Sequence, residues 1–131
     1  MQVTEGGGYV AFEAVDGKLL YFTSRNRRGL WSMPVAGGRE NLVLDAVRYF
    51  WWAIAERGIY FVPYAGEGSR HSSVPLDFYS FETNRLAQVT ALERELPTTT
   101  SSISVSRDGR HVAVLQVDNP GADIELIEDF R

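Results

Sequence analysis

Several short runs in this sequence are apolar at every position instead of at every second one. Ile59-Tyr60-Phe61-Val62 and Val112-Ala113-Val114-Leu115 are the clearest examples, and Leu19-Leu20-Tyr21-Phe22 is a third. Successive side chains of a strand point to opposite faces, so these runs have two faces that must both be covered. A two-sheet sandwich covers only one face of each strand. The pattern therefore favours sheets stacked side by side, as in the blades of a β-propeller.

The remaining pattern indicates an all-β chain. Strand-length apolar runs alternate with turn residues, and no stretch of eleven or more residues keeps a helical apolar period. We predict about three four-stranded antiparallel blades. Residues 9–44 form one blade, 47–92 a second, and 101–127 a third that lacks its outer strand. Residues 1–5 are predicted to be an outer strand that completes another blade.

A turn motif recurs along the chain. It is Asp16-Gly17-Lys18 at its first occurrence, Arg57-Gly58 at its second and Asp108-Gly109-Arg110 at its third, and each is followed by an apolar strand. Gln2-Val3-Thr4 also returns as Gln88-Val89-Thr90. The turns are 41 and 51 residues apart, and the interval of 86 residues between the tripeptides is two periods of 43. A period of about 40–45 residues is typical of propeller blades, and polar loops at 65–74 and 93–100 account for the longer interval. The repeats therefore support the same architecture.

These motifs resemble a known repeat. Asp16 to Ser24, followed by Leu30-Trp31-Ser32-Met33 and Gly37-Gly38, is similar to the WD40-like, TolB-type (PD40) propeller repeat of bacteria. The tail from Asp123 to Arg131 is similar to the closing segment of bacterial multidomain regulators. In those regulators a DNA-binding domain or a protein kinase precedes the propeller, and this chain contains neither. The resemblance implies the propeller fold and says little about activity.

Three blades are fewer than the four to eight that close a propeller ring. An open arc exposes apolar sheet faces at both ends, and such faces promote association. We therefore expect either a segment of a longer propeller or copies that assemble, with two copies making six blades. The isolated polypeptide is expected to self-associate, which light scattering measures.

Composition and charge exclude several functions. The chain has 44% hydrophobic and 23% charged residues, a net charge of −4 and no Cys. These values argue against disorder and against a basic face for direct nucleic-acid binding. No apolar run reaches the about 20 residues of a membrane span, and the start does not resemble a secretory signal, which favours a cytoplasmic location. The two His, without Cys, give no zinc spacing. We predict no cofactor, no metal and no catalytic residues.

Two loops carry candidate partner-binding residues. Arg25, Arg27 and Arg28 form a basic cluster that can meet an acidic partner or a phosphate. Arg70 and His71 lie in a second polar loop, where a catalytic arrangement with the nearby hydroxyls lacks the usual nucleophile motif. The aromatic run from Tyr49 to Trp52 resembles a stacking surface, but its place on an innermost strand favours packing between blades.

The leading hypothesis is a non-catalytic β-propeller scaffold for protein–protein interaction or sensing, within a larger bacterial regulatory protein. Its partner is then another protein or another domain of the parent chain. One alternative is the propeller segment of a prolyl-peptidase-like serine hydrolase, in which the chemistry lies in a different domain. Another is a periplasmic TolB-like partner protein, which requires an export signal. Flanking sequence discriminates between them, because fold alone does not specify function.

Overall fold

The described part of the chain is built from β-strands joined by turns, without a helix. The computed structural model describes residues 8–64, 73–93, 96, 101–117 and 122–128. The first sheet contains β1 (Val10–Glu13), β2 (Leu19–Thr23), β3 (Leu30–Pro34) and β4 (Asn41–Leu44). The middle sheet contains β5 (Val47–Ile54), β6 (Gly58–Pro63), β7 (Val74–Ser80) and β8 (Leu86–Leu92). The third sheet contains β9 (Ile103–Val105), β10 (His111–Val117) and β11 (Ala122–Glu128).

Each sheet is an antiparallel meander, in which every strand pairs with the strand that follows it in the chain. This result confirms the predicted all-β class and the division into three blade-like antiparallel sheets. The third sheet has three strands within the described residues. The outer strand predicted at residues 1–5 lies outside them.

Two of the three recurring turns have the same geometry. In each, the aspartate carboxylate accepts the backbone N–H two residues later, from Lys18 to Asp16 and from Arg110 to Asp108, both at 3.0 Å. The glycine that follows has a positive φ, +71° at Gly17 and +70° at Gly109, a conformation that costs glycine little. Both aspartates therefore act as acceptors within their own turns.

The middle sheet is buried on both faces. Ile59 and Phe61 of β6 belong to an apolar cluster shared with the first sheet. Tyr60 and Val62, the alternate residues of the same strand, belong to a cluster shared with the third sheet. All four side chains are at most 6% exposed. Residues 59–62 are therefore all apolar because a neighbouring sheet covers each face of β6, as predicted.

The first strands of the three sheets are neighbours. Strand β5 contacts β1 on one side and β9 on the other. On the first side, the Tyr9 ring lies 5.2 Å from the Phe50 ring, and the Thr23 hydroxyl donates to the Tyr49 carbonyl at 3.1 Å. On the other side, the Ser102 N–H donates to the Phe50 carbonyl at 3.3 Å. The sheets thus approach one another along β1, β5 and β9.

The faces at the two ends of the stack carry exposed apolar side chains. On the third sheet, Ile124 and Leu126 are 76% and 55% exposed. They pair with Leu115 and Ala113, which point away from the cluster that β10 shares with the middle sheet. On the first sheet, Leu42 is 50% exposed and pairs with Trp31. These faces repeat the apolar character of the faces that are buried between neighbouring sheets.

Candidate functional site

A cleft of about 640 Å³ opens where the first sheet meets the middle sheet. Its walls are the β2–β3 loop at residues 25–28, the first half of β5 at residues 47–51, and Tyr64, which follows β6. We call this feature the arginine cleft, because Arg25, Arg27, Arg28 and Arg48 all line it. Its volume falls within the range of about 300–1,000 Å³ that is usual for ligand sites.

An irregularity in β5 shapes one wall of the arginine cleft. The pairing of β5 with β6 shifts register between Val47 and Trp52, and β5 has more residues in this interval than its partner has. Extra residues of this kind form a bulge, which bends the strand and redirects its side chains. The bulged interval is the one that supplies Arg48, Tyr49 and Phe50 to the cleft. Bulges often occur next to functional sites for this reason.

Two tyrosines contact Arg25 in the β2–β3 loop. Its guanidinium carbon lies 4.0 Å from the centre of the Tyr9 ring, and Nη2 donates a hydrogen bond to the Tyr9 hydroxyl. The Tyr49 hydroxyl donates to the Arg25 carbonyl at 3.4 Å. Tyr9 and Tyr49 contact each other edge to face, with 5.9 Å between ring centres. The tip of the β2–β3 loop is therefore attached to β1 and β5.

Arg28 and Arg48 share an aromatic neighbour. The guanidinium carbon of Arg48 lies 4.4 Å from the centre of a Trp51 ring and 5.1 Å from that of Tyr64. The guanidinium carbon of Arg28 lies 5.8 Å from the same Tyr64 ring. Cation–π contacts at such distances position a guanidinium without neutralising its charge. Both cations therefore contact the same ring at one end of the cleft.

Arg27 differs from the other three arginines. Its Nη1 pairs with the Glu40 carboxylate at 2.6 Å, and its guanidinium carbon lies 4.4 Å from a Trp31 ring. Its Nε and Nη2 atoms are buried and have no hydrogen-bond partner among the described residues. The Arg27 charge is thus compensated within the first sheet, where the side chain also packs over the Phe22 ring at 5.9 Å. Arg27 supports the structure of the cleft wall.

Among the described residues, the charges of Arg25, Arg28 and Arg48 are uncompensated. None of the three forms an ion pair within the described part of the chain, although the protein has 17 acidic against 13 basic side chains. Two of them are exposed and Arg48 is partly buried. The arginine cleft is therefore a local concentration of positive charge on a protein of net charge −4. This arrangement favours an anionic ligand that also contacts aromatic surface.

The structure brings together only part of the predicted site. Arg25, Arg27 and Arg28 lie in the arginine cleft, whereas Arg70 and His71 lie outside the described residues. Arg48 and Tyr64 also line the cleft and were not among the predicted residues. Arg48 could have been identified from its position directly before the aromatic run. A basic residue beside several aromatic ones is a common combination in binding surfaces.

The aromatic run at 49–52 has a divided role. Trp52 is fully buried between the first and middle sheets, and Trp51 is buried in the cluster shared with the third sheet. Tyr49 is 41% exposed and lines the arginine cleft with Phe50 and Trp51. Packing between sheets, as predicted, accounts for the two tryptophans. It does not account for Tyr49.

Other titratable groups do not form a second site in the described residues. Burial raises the pKa of Asp77 on β7, but Asp77 does not line the arginine cleft. The pKa of Asp108 is lowered by hydrogen bonds from the Ser106 hydroxyl and the Arg110 N–H, which stabilise its turn. His111 Nε2, at the start of β10, lies 3.6 Å from the Glu128 carboxylate at the end of β11.

The described residues lack two further kinds of feature. They contain no group of three or more His, Cys, Asp or Glu side chains that can hold a metal ion. No helix in the same part of the chain has the length and apolar character needed to cross a bilayer.

Comparison with known proteins adds no assignment. No protein-family model matches the chain, and no curated protein is significantly similar to it. The arginine cleft and the stacked sheets are therefore the basis on which a function is proposed.

Proposed function

We propose that this protein is a non-catalytic interaction module of the β-propeller type, and that the arginine cleft is its recognition site. Three features support the propeller: the meander sheets, the proximity of β1, β5 and β9, and a middle sheet covered on both faces. Innermost strands that lie side by side are expected when blades are arranged radially. The resemblance to TolB-type repeats is consistent with this arrangement.

The apolar end faces fit the same proposal. Each outer face resembles a face that is buried inside the stack. Another blade is therefore the element expected to pack against it. Further blades come either from a longer chain of which this is a segment or from a second copy, as expected from the three-blade arc. In either case the module presents its loops on a rigid framework, and its partner is another protein or another domain of the parent chain.

The observation that carries the functional proposal is the uncompensated charge of the arginine cleft. Ordered cations beside exposed aromatic rings are typical of the energetically important residues in protein interfaces, where Arg and Tyr are enriched. Within the described residues the cleft has no acid, thiol or histidine beside these arginines to act as nucleophile or general base. Binding without chemistry is the activity that these side chains support.

Affinity capture tests this proposal. We define the cleft variant as the chain in which Arg25, Arg28 and Arg48 are replaced with Ala. In a lysate of the source organism, the wild-type chain is expected to retain at least one protein that the cleft variant loses. Quantitative mass spectrometry of the retained proteins measures the difference.

A matched variant controls for the change in total charge. Arg39, Arg85 and Arg107 are exposed and lie outside the arginine cleft. Their replacement with Ala defines the charge-control variant, which is expected to retain the same proteins as the wild-type chain. Identical protein sets from all three chains would refute a role for the cleft in recognition. Catalytic turnover by the purified chain would refute the non-catalytic assignment.

A further inference from the structure

The positions of the three uncompensated arginines restrict the chemistry of the partner. Arg25 is held by the Tyr9 ring and hydroxyl, and Arg48 by the Trp51 and Tyr64 rings. A guanidinium that is already ordered loses little side-chain entropy when it binds, and its planar fork matches a carboxylate with two parallel hydrogen bonds. The cleft is thus organised for anionic groups before any ligand arrives.

The like charges within the cleft favour more than one anionic group. Arg28 and Arg48 both lie within 5.8 Å of the Tyr64 ring centre, and neither forms an ion pair within the described part of the chain. A ligand that carries two carboxylates makes a hydrogen-bonded pair with each cation. Arg25 lies on the same β2–β3 loop as Arg28 and offers a third contact to a ligand that extends along the cleft.

The walls between the arginines favour an apolar or aromatic side chain next to the carboxylates. Tyr49 is 41% exposed and Phe50 is partly buried, and both line the arginine cleft. An exposed aromatic ring contributes to binding when a partner side chain covers it. A volume of about 640 Å³ accommodates a short segment and not an extended surface.

The charge of the whole protein argues against a polyanion as the partner. A nucleic acid requires a positive surface along several phosphates, whereas this chain has a net charge of −4. We propose that the arginine cleft binds a short acidic peptide segment of a partner protein, in which clustered carboxylates flank an aromatic side chain. This inference rests on the proposed function and specifies the chemistry of the partner.

Peptide titration tests the inference. The probe is the synthetic peptide Glu-Glu-Phe-Glu-Glu with blocked ends and a fluorescent label, and fluorescence anisotropy measures its binding to the full chain. The neutral peptide Gln-Gln-Phe-Gln-Gln is the matched control. We expect the acidic peptide to bind at least about tenfold more tightly than the neutral one, which corresponds to the strength of a single charge-assisted hydrogen bond. Its affinity is expected to fall with rising salt concentration.

Variants assign the binding to the arginine cleft. Arg48→Ala is expected to lower the affinity for the acidic peptide roughly tenfold. The cleft variant is expected to lower it roughly a hundredfold or more. Arg48→Lys keeps the charge but loses the planar fork, so an intermediate affinity is expected. The charge-control variant is expected to bind as the wild-type chain does. Circular dichroism verifies that each variant retains its β structure.

Equal affinities for the acidic and neutral peptides would overturn the inference, as would equal losses in the cleft and charge-control variants. Preferential binding of a single-stranded oligonucleotide that displaces the peptide would overturn it too. Inorganic phosphate is expected to compete weakly, because it lacks the aromatic contact; competition as strong as that of the peptide would also overturn it. The acidic peptide can show no preferential binding while affinity capture still depends on the cleft. In that case the proposed function stands, and only the inferred chemistry of the partner is wrong.

Discussion

Replacing Trp52 with alanine is expected to lower the free energy of unfolding by about 3–5 kcal/mol, the usual cost of deleting a buried aromatic side chain. Trp52 is fully buried between the first and middle sheets. Its ring contacts Phe12 of β1 edge to face at 5.0 Å between ring centres, and its Nε1 donates to the Tyr49 carbonyl at 3.0 Å. The substitution removes the apolar contact between two sheets and leaves a cavity there.

Urea unfolding followed by circular dichroism measures this effect. Leu86→Ala is the control, because Leu86 is 58% exposed on the outer strand of the middle sheet, and its expected cost is within about 0.5 kcal/mol of zero. If Trp52→Ala prevents folding altogether, Trp52→Phe measures a smaller loss in the same direction. A Trp52 variant as stable as the Leu86 variant would show that the first and middle sheets do not pack through this residue.

Gly58→Ala is expected to destabilise the protein by about 3 kcal/mol, the upper end of the usual range for overpacking. A Cβ at position 58 would clash with the Tyr79 carbonyl oxygen and lie 2.5 Å from the Phe78 ring. The carbonyl belongs to β7, which pairs with β6 from Gly58 onward. It therefore cannot move away without disturbing the hydrogen bonds of the middle sheet, whereas a flexible side chain could.

Gly109→Ala separates this effect from backbone strain. Gly109 has a φ of +70°, and a Cβ added there would meet no atom within 4 Å. Its expected cost is about 1 kcal/mol, from the left-handed conformation alone. Thermal unfolding measures both variants. A Gly58 variant that is no less stable than the Gly109 variant would contradict the close approach of β6 and β7.

These two glycines show how far the turn motif could be interpreted from the sequence. Asp16-Gly17 and Asp108-Gly109 have the predicted turn geometry, because the aspartate itself closes the turn with a local hydrogen bond. Arg57-Gly58 has the glycine but no aspartate, and the φ of Gly58 is not positive. Gly58 instead begins β6 and allows close approach to β7. Such a reason depends on the neighbouring strand and is invisible in the local motif.

The fold was predictable where it follows from the pattern of apolar residues within single strands. Four consecutive apolar residues at 59–62 require cover on both faces, and the structure supplies one cluster for each face. The three sheets span 10–44, 47–92 and 103–128, which is close to the blades predicted at 9–44, 47–92 and 101–127. Periodicity predicts which residues are buried, but strand ends depend on pairing.

The candidate site was less predictable, because three separate segments form it. The arginines at 25–28 were identifiable as a loop cluster, but Arg48 and Tyr64 join them only when the first and middle sheets stack. The bulge in β5 also changes which of its side chains are accessible, and regular alternation does not reveal it. The pairing of Arg27 with Glu40, which distinguishes this arginine from its neighbours, is likewise a tertiary contact.

Amide hydrogen exchange tests the stacking of the sheets most directly. Strands β6 and β10 are both central strands of antiparallel sheets, but only β6 belongs to a sheet covered on both faces. At a concentration low enough to keep copies apart, the β6 amides at 59–62 should exchange at least about tenfold more slowly than the most protected β10 amides. Equal or greater protection in β10 would contradict a middle sheet enclosed between two others.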